Sequence, residues 1–270
     1  METRGPIHKM TSRLEQPVSY SLPVGTESLP LNARLGGVLR LQFEGDISCI
    51  HCGRAIKKTF NQGYCYPCFT RLAQCDSCIV KPELCHFHKG TCREPDWGQQ
   101  HCMIDHTVYL AVSSGLKVGI TRGLDPTSRW IDQGAAQALA IRVVSSRLDS
   151  GRVEVALKQY VADRTDWRKM LKGEPELMDL EAERDRLLSL RAAEHPDDPL
   201  PGESAPGAEP VSLAYPVLEY PSRVRSHDFG KQPMLEGTLL GIKGQYLIFD
   251  TAVVNVRKYA GYHFAVLGAS

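Results

Sequence analysis

All nine cysteines of this 270-residue chain fall between positions 49 and 102. Thiols scattered through hydrophobic cores do not crowd in this way. The segment opens with CIHCGRAIKKTFNQGYCYPC, residues 49–68, two Cys-x-x-Cys pairs separated by twelve residues. Each pair presents two thiolates from a tight turn, and a linker of that length can run out and back as a hairpin to close a tetrahedron. The spacing predicts a structural zinc ribbon on Cys49, Cys52, Cys65 and Cys68, with Gly53 and Gly63 suited to the turns. A thioredoxin-type dithiol needs one pair to open a helix within a βαβ unit, and nothing flanking either pair reads that way.

The remaining cysteines extend the pattern. Cys75-Asp-Ser-Cys78 is a third knuckle and supplies half of a second metal site. Cys85 and Cys92 complete it by the shortest loops, giving Cys75, Cys78, Cys85 and Cys92 as the expected set. Cys85 with His88, or Cys92 with Cys102, are alternatives, and His86 and His101 stand nearby. One or two Zn²⁺ ions are therefore expected.

With 42% hydrophobic residues the chain has ample material for cores. Its 32 basic and 31 acidic residues leave a net charge of +1, so an anionic partner has to be held by a local patch. No apolar run is long enough to span a bilayer, and METRGPIHKM lacks the apolar core of a signal peptide, which points to the cytoplasm and to no membrane partner. Leu39, Leu41 and Phe43 alternate with polar residues as one half-buried strand. Such a strand needs partners, and pairing with the C-terminal sheet would bring the chain ends together.

Further along, Val108 to Val112 and Leu116 to Ile120 read as a hairpin about Ser113-Ser114-Gly115. Asp125, Pro126 and Gly134 bracket a short helix carrying Arg129 and Trp130. Ala138 to Val144 is a third strand. A longer helix from about Arg152 has Val153, Leu157, Tyr160 and Val161 as its core stripe. Residues 174–194 read as an amphipathic helix started by Pro175, residues 192–210 as a proline-rich linker or long loop, and Glu236 to Leu267 as three or four antiparallel strands. The expected fold class is α+β: residues 1–48 an N-terminal strand region, 49–104 the cysteine-rich segment, 105–192 a small β-β-α-β-α domain with its trailing helix, 193–210 a linker, and 211–270 an antiparallel β domain.

VYL followed by KVGIT, then RW on a helix and a glutamate near the start of a longer helix, resembles the GIY-YIG nuclease domain over residues 106–171. QGYCYPCF, VYLAVSSGLKVGITR and GIKGQYLIFD together also look like an uncharacterised bacterial family with a zinc-binding N-terminal part. The first resemblance implies that Tyr109, Gly119, Arg129 and Glu154 occupy the tyrosine, glycine, arginine and metal-binding glutamate positions, with Lys117 where a second tyrosine usually stands. It implies phosphodiester hydrolysis assisted by Mg²⁺ or Mn²⁺ on Glu154, with Arg129 on the phosphate and Tyr109 and Lys117 orienting water or phosphate. The expected function is nucleic-acid binding, of DNA or RNA, with metal-dependent endonuclease activity. The alternative is a non-enzymatic zinc-dependent module that binds nucleic acid or protein through a degenerate domain of this kind. In the ribbon, Arg54, Lys57, Lys58 and Arg71 interleave with Phe60, Tyr64, Tyr66 and Phe69, a mix suited to holding phosphates and stacking bases.

Overall fold

The computed structural model describes residues 2–161 and 166–268. Residues 162–165, inside the expected central domain, lie outside the described residues. The amino-terminal part contributes β1 (Glu2–Pro6), β2 (Thr11–Arg13), β3 (Ser19–Val24), β4 (Glu27–Pro30) and β5 (Val38–Ile47). The cysteine segment holds only the short helices α1 (Tyr66–Arg71) and α2 (Pro95–His101) joined by single 3₁₀ turns. Then follow β6 (His106–Val112), β7 (Leu116–Arg122), α3 (Thr127–Asp132), β8 (Gln137–Val144), α4 (Arg147–Lys158), α5 (Trp167–Met170) and α6 (Leu180–Glu194). The carboxy-terminal part adds β9 (Glu203–Ser204), β10 (Val211–Ser212), β11 (Met234–Lys243), β12 (Tyr246–Phe249), β13 (Val253–Asn255) and β14 (Tyr262–Gly268). Helices and antiparallel sheets are mixed, an α+β fold.

The largest sheet has the order β1-β14-β5-β11-β12-β13 and joins both ends of the chain. β5 lies between β14 and β11, with Leu41 opposite Val266 on one side and Leu235 on the other. Its alternation is the reason: Leu39 and Leu41 are buried on one face while Val38 and Arg40 are exposed. The β2-β3-β4 meander packs on the same core through Met10, Tyr20, Leu22 and Val24.

β6 is buried along its whole length because both faces are covered. Tyr109 and Ala111 join the core under the large sheet, whereas Val108, Leu110 and Val112 join a second core with Val153 and Leu157 of α4 and Leu180 and Leu187 of α6. Since β6 belongs to both cores, it ties the hairpin to the sheet.

Three elements depart from the expectation. The helix α4 begins at Arg147, not near Arg152, because Ser146 caps it by accepting from Asp149 N. Pro175 does not start α6. Asp179 does, accepting from the backbone N–H groups of Glu181 and Ala182, and Leu177 is left exposed. The proline-rich stretch is fastened rather than free: Arg142 donates to the carbonyls of Leu200, Pro201 and Gly202, and β9 and β10 pair with the two ends of β8. Prolines carry no N–H but keep their carbonyls, and a guanidinium can bind several of these at once.

Candidate functional site

The first four cysteines meet. The sulfurs of Cys49, Cys52, Cys65 and Cys68 lie within 4.8 Å of one another. The Cys52–Cys65 separation is 3.8 Å, which matches the edge of a tetrahedron with metal–sulfur bonds of ~2.3 Å. The first knuckle closes by a hydrogen bond from Gly53 N to Cys49 O, with Gly53 at φ +72°, where a side chain is disfavoured. Across the hairpin, Cys65 N donates to the Cys49 sulfur at 3.2 Å. The backbone N–H of Arg54 holds the Cys52 thiol down to about 6, while burial pushes Cys68 up to about 12. A thiophilic cation, if bound, would keep all four as thiolates at neutral pH. The quartet therefore fits a metal such as zinc.

A cleft of about 820 Å³ opens beside this quartet. One wall is the cysteine segment, with Ile50, Asn61, Gln62, Tyr64, Gln74 and Ile79 to Pro82 less Lys81. The other is the hairpin with its two helices: Lys117 to Arg122 on β7, Arg129 and Gln133 from α3, and Arg147, Glu154 and Lys158 on α4. Lys117, Arg129 and Glu154 thus line one hollow. Tyr109 is fully buried, and its hydroxyl donates to Gln133 Oε1 at 2.9 Å. Burial pushes this phenol up to about 12, with the neighbouring Arg129 pulling the other way. At neutral pH it is a hydrogen-bond donor and not a base.

Gly119 lies opposite Tyr109 in the β6–β7 register. A methyl group there would stand 2.6 Å from the phenol carbon and oxygen, so the ring occupies the space a side chain would take. Glu154, half-buried, pairs with Lys158 at 3.1 Å. Lys9, Lys117, Arg122, Arg129, Arg147, Lys158 and Arg257 line the cleft, and Glu154 is the one acid among the described lining residues. The cleft is thus a local basic patch on a chain of near-neutral net charge.

A model for the family described as protein of unknown function, DUF2797, matches residues 36–264. The chain belongs to this family. Comparison with curated proteins and with solved structures found no match. The DUF2797 match runs from the loop before β5 into β14 and takes in every cysteine and both walls of the cleft. It says nothing about a GIY-YIG domain or a zinc ribbon.

In this DUF2797 protein the other cysteines group only in part as the spacing suggested, with Cys78, Cys85 and Cys92 on one cavity. Cys75 packs with Cys49, Cys65, Cys68 and Leu72 and does not line that cavity. Cys78, Cys85, Cys92 and Cys102 surround this small cavity with Asp76 and His86. The 3₁₀ turn at residues 73–75 buries Cys75 toward the first quartet, and Asp76 then turns the chain. His101 stacks on Trp97 at 4.3 Å between ring centres.

The ribbon aromatics mostly pack on one another. Phe60 lies 5.7 Å from Phe69 and 5.3 Å from Tyr66 between ring centres, and Lys58 sits over Phe60. Of the eight cationic and aromatic ribbon residues singled out above, Tyr64 alone lines the cleft. His106 is wholly buried and does not line it either; its Nδ1 lies 2.7 Å from the Ile104 carbonyl oxygen.

Sequence reasoning missed Gln133 and the amino-terminal arm. Gln133 stands four residues after Arg129, the spacing that puts two side chains on one helix face, and that was the available signal. His8 and Lys9 carried none. They reach the cleft because Gln245 accepts from Met10 N and donates to both Met10 O and Asp132, while Lys9 pairs with Asp132 at 2.6 Å.

Among the described residues, no helix is long and apolar enough to cross a membrane.

Proposed function

We propose that this protein binds DNA or RNA in the basic cleft and cleaves phosphodiester bonds there with a divalent cation at Glu154, the Cys49 quartet holding a structural zinc. The observation that carries this reading is the convergence of Lys117, Arg129 and Glu154 on one hollow above the Tyr109–Gly119 contact. A single half-buried carboxylate suits Mg²⁺ or Mn²⁺, which keep several waters and take one or two protein ligands. When bound, such a cation polarises the phosphate and stabilises the leaving oxygen. Arg129 offers its planar fork to the non-bridging oxygens. Lys117, on the strand beneath, adds positive charge. The neutral Tyr109 hydroxyl occupies the Gln133 carbonyl oxygen, which leaves the Gln133 amide NH₂ free to orient water or phosphate.

The test is a cleavage panel of single- and double-stranded DNA and RNA with the full chain and added Mg²⁺ or Mn²⁺. Turnover is expected, and Glu154→Ala and Arg129→Ala each lower it at least a hundredfold, on the order of what a lost charge-stabilising group costs. Cleavage that survives both substitutions sinks the mechanism.

One observation favours a second reading, a nucleic-acid-binding module without turnover: Lys158 already neutralises Glu154. That reading is accepted if the panel shows salt-sensitive binding and no product. If nothing is retained even at low salt, both readings are wrong.

A further inference from the structure

We infer that the chain holds a second thiophilic metal ion between Cys78, Cys85, Cys92 and Cys102, and that this ion fixes the shelf on which α4 lies. The four residues line a small cavity of about 10 Å³, close to the ~10–15 Å³ that a single water-sized occupant needs. Its thiols are poor partners for water and good ones for a soft divalent cation such as zinc. Cys78, Cys85 and Cys102 are buried and Cys92 is half-buried.

Charge points the same way. Arg147 is buried, 8% exposed, and pairs with no carboxylate among the described residues. It lies beside Cys78, Cys85 and Cys102. Its guanidinium donates to the carbonyls of Cys78, at 3.2 Å, and Ile79. A buried cation without an anion is costly, whereas four thiolates around a divalent ion carry a net charge of −2 and supply the missing counter-charge.

No three of these four sulfurs lie within 4.8 Å of one another, so the thiols must close in on the ion, whereas Asp76, Cys78 and His86 already bring donor atoms within that distance. Asp76, however, is engaged by Arg93 at 2.7 Å and by Ser77, and His86 Nδ1 by Thr91 at 2.8 Å. These two belong around the thiolates as outer partners, in the way that carboxylates and imidazoles commonly support metal ligands.

The structural consequence reaches α4. Arg147 N donates to Cys102 O at 2.8 Å, which ties the start of the helix to one ligand. One turn on, Gly151 lies so close to the 82–85 turn that a methyl group there would be 2.3 Å from Glu83 N. The ion therefore holds both supports of the helix that carries Glu154. This inference stands whether or not the cleft cleaves nucleic acid, because its readout is metal content.

The full chain, purified without chelator, is expected to carry two zinc ions by elemental analysis. Cys78→Ser and Cys102→Ser should each bring this to one, as should Cys49→Ser at the other site, and His86→Ala should leave it at two. One zinc in the wild-type chain overturns the proposal, and two in Cys102→Ser overturns the ligand set. Should these variants fail to fold, alkylation of the wild-type protein decides: half-buried Cys92 resists iodoacetamide until a chelator is added. Modification of Cys92 in zinc-replete protein refutes the site.

Discussion

Gly119 and Tyr109 form a matched pair across two strands, one residue small because the other is large. Gly119→Ala forces the ring or the strand to move, with an expected cost of about 1–3 kcal/mol in urea denaturation. Combined with Tyr109→Leu, the loss should fall below the sum of the two single losses, because the clash partner is gone. His106 is the other residue with a measurable signature. Burial pushes its pKa down to about 4, against about 6.5 in the unfolded chain. The folded state thus favours neutral imidazole. This stability is fully present above pH ~6.5, is lost as the pH falls toward 4, and levels off below that. The shift corresponds to about 3 kcal/mol. His106→Asn keeps a hydrogen-bonding group at the Ile104 carbonyl and should flatten this slope in denaturant titrations between pH 6.5 and 4; an unchanged slope would show that His106 does not titrate in this range.

At the scale of elements, α4 decides where the acid of the cleft sits. Its buried Val153 and Leu157 anchor it to the hairpin core, and Gly151 lets it touch the cysteine segment. Replacing a mid-helix glycine by alanine ordinarily stabilises by about 0.5–1 kcal/mol. Here the new methyl meets backbone at 2.3 Å, so Gly151→Ala should destabilise instead, and by more than that gain. Thermal denaturation checks the sign. The hairpin, α3 and β8 were legible in the sequence because their signals are local: alternation, a two-serine turn, and Asp125, whose carboxylate accepts from Thr127 N. The start of α6 was not, since Pro175 and Asp179 both carry start signals and the burial of Leu180 chose between them.

For the whole molecule, the cleft gathers cations from the amino-terminal arm, the hairpin, two helices and the loop before β14, as Lys9, Arg122, Arg129, Arg147 and Arg257 show. If nucleic acid lies there, log K should fall linearly with log salt, and Arg122→Ala should reduce the slope by about 1. Lys57→Ala and Lys58→Ala should leave it unchanged, since neither lines the cleft. Filter binding at several salt concentrations separates these outcomes. The sequence by itself determined the first cysteine quartet, because two knuckles and a twelve-residue hairpin constrain their own sulfurs whatever surrounds them. It also marked the strands whose alternation matches a half-buried sheet. Only the tertiary structure decided that Cys75 sides with the first quartet and Cys102 with the second group, that Gln133 supports Tyr109, and that Lys9 reaches a site more than a hundred residues away. Those contacts depend on which surfaces bury each other, and burial between distant segments leaves no periodicity in either one.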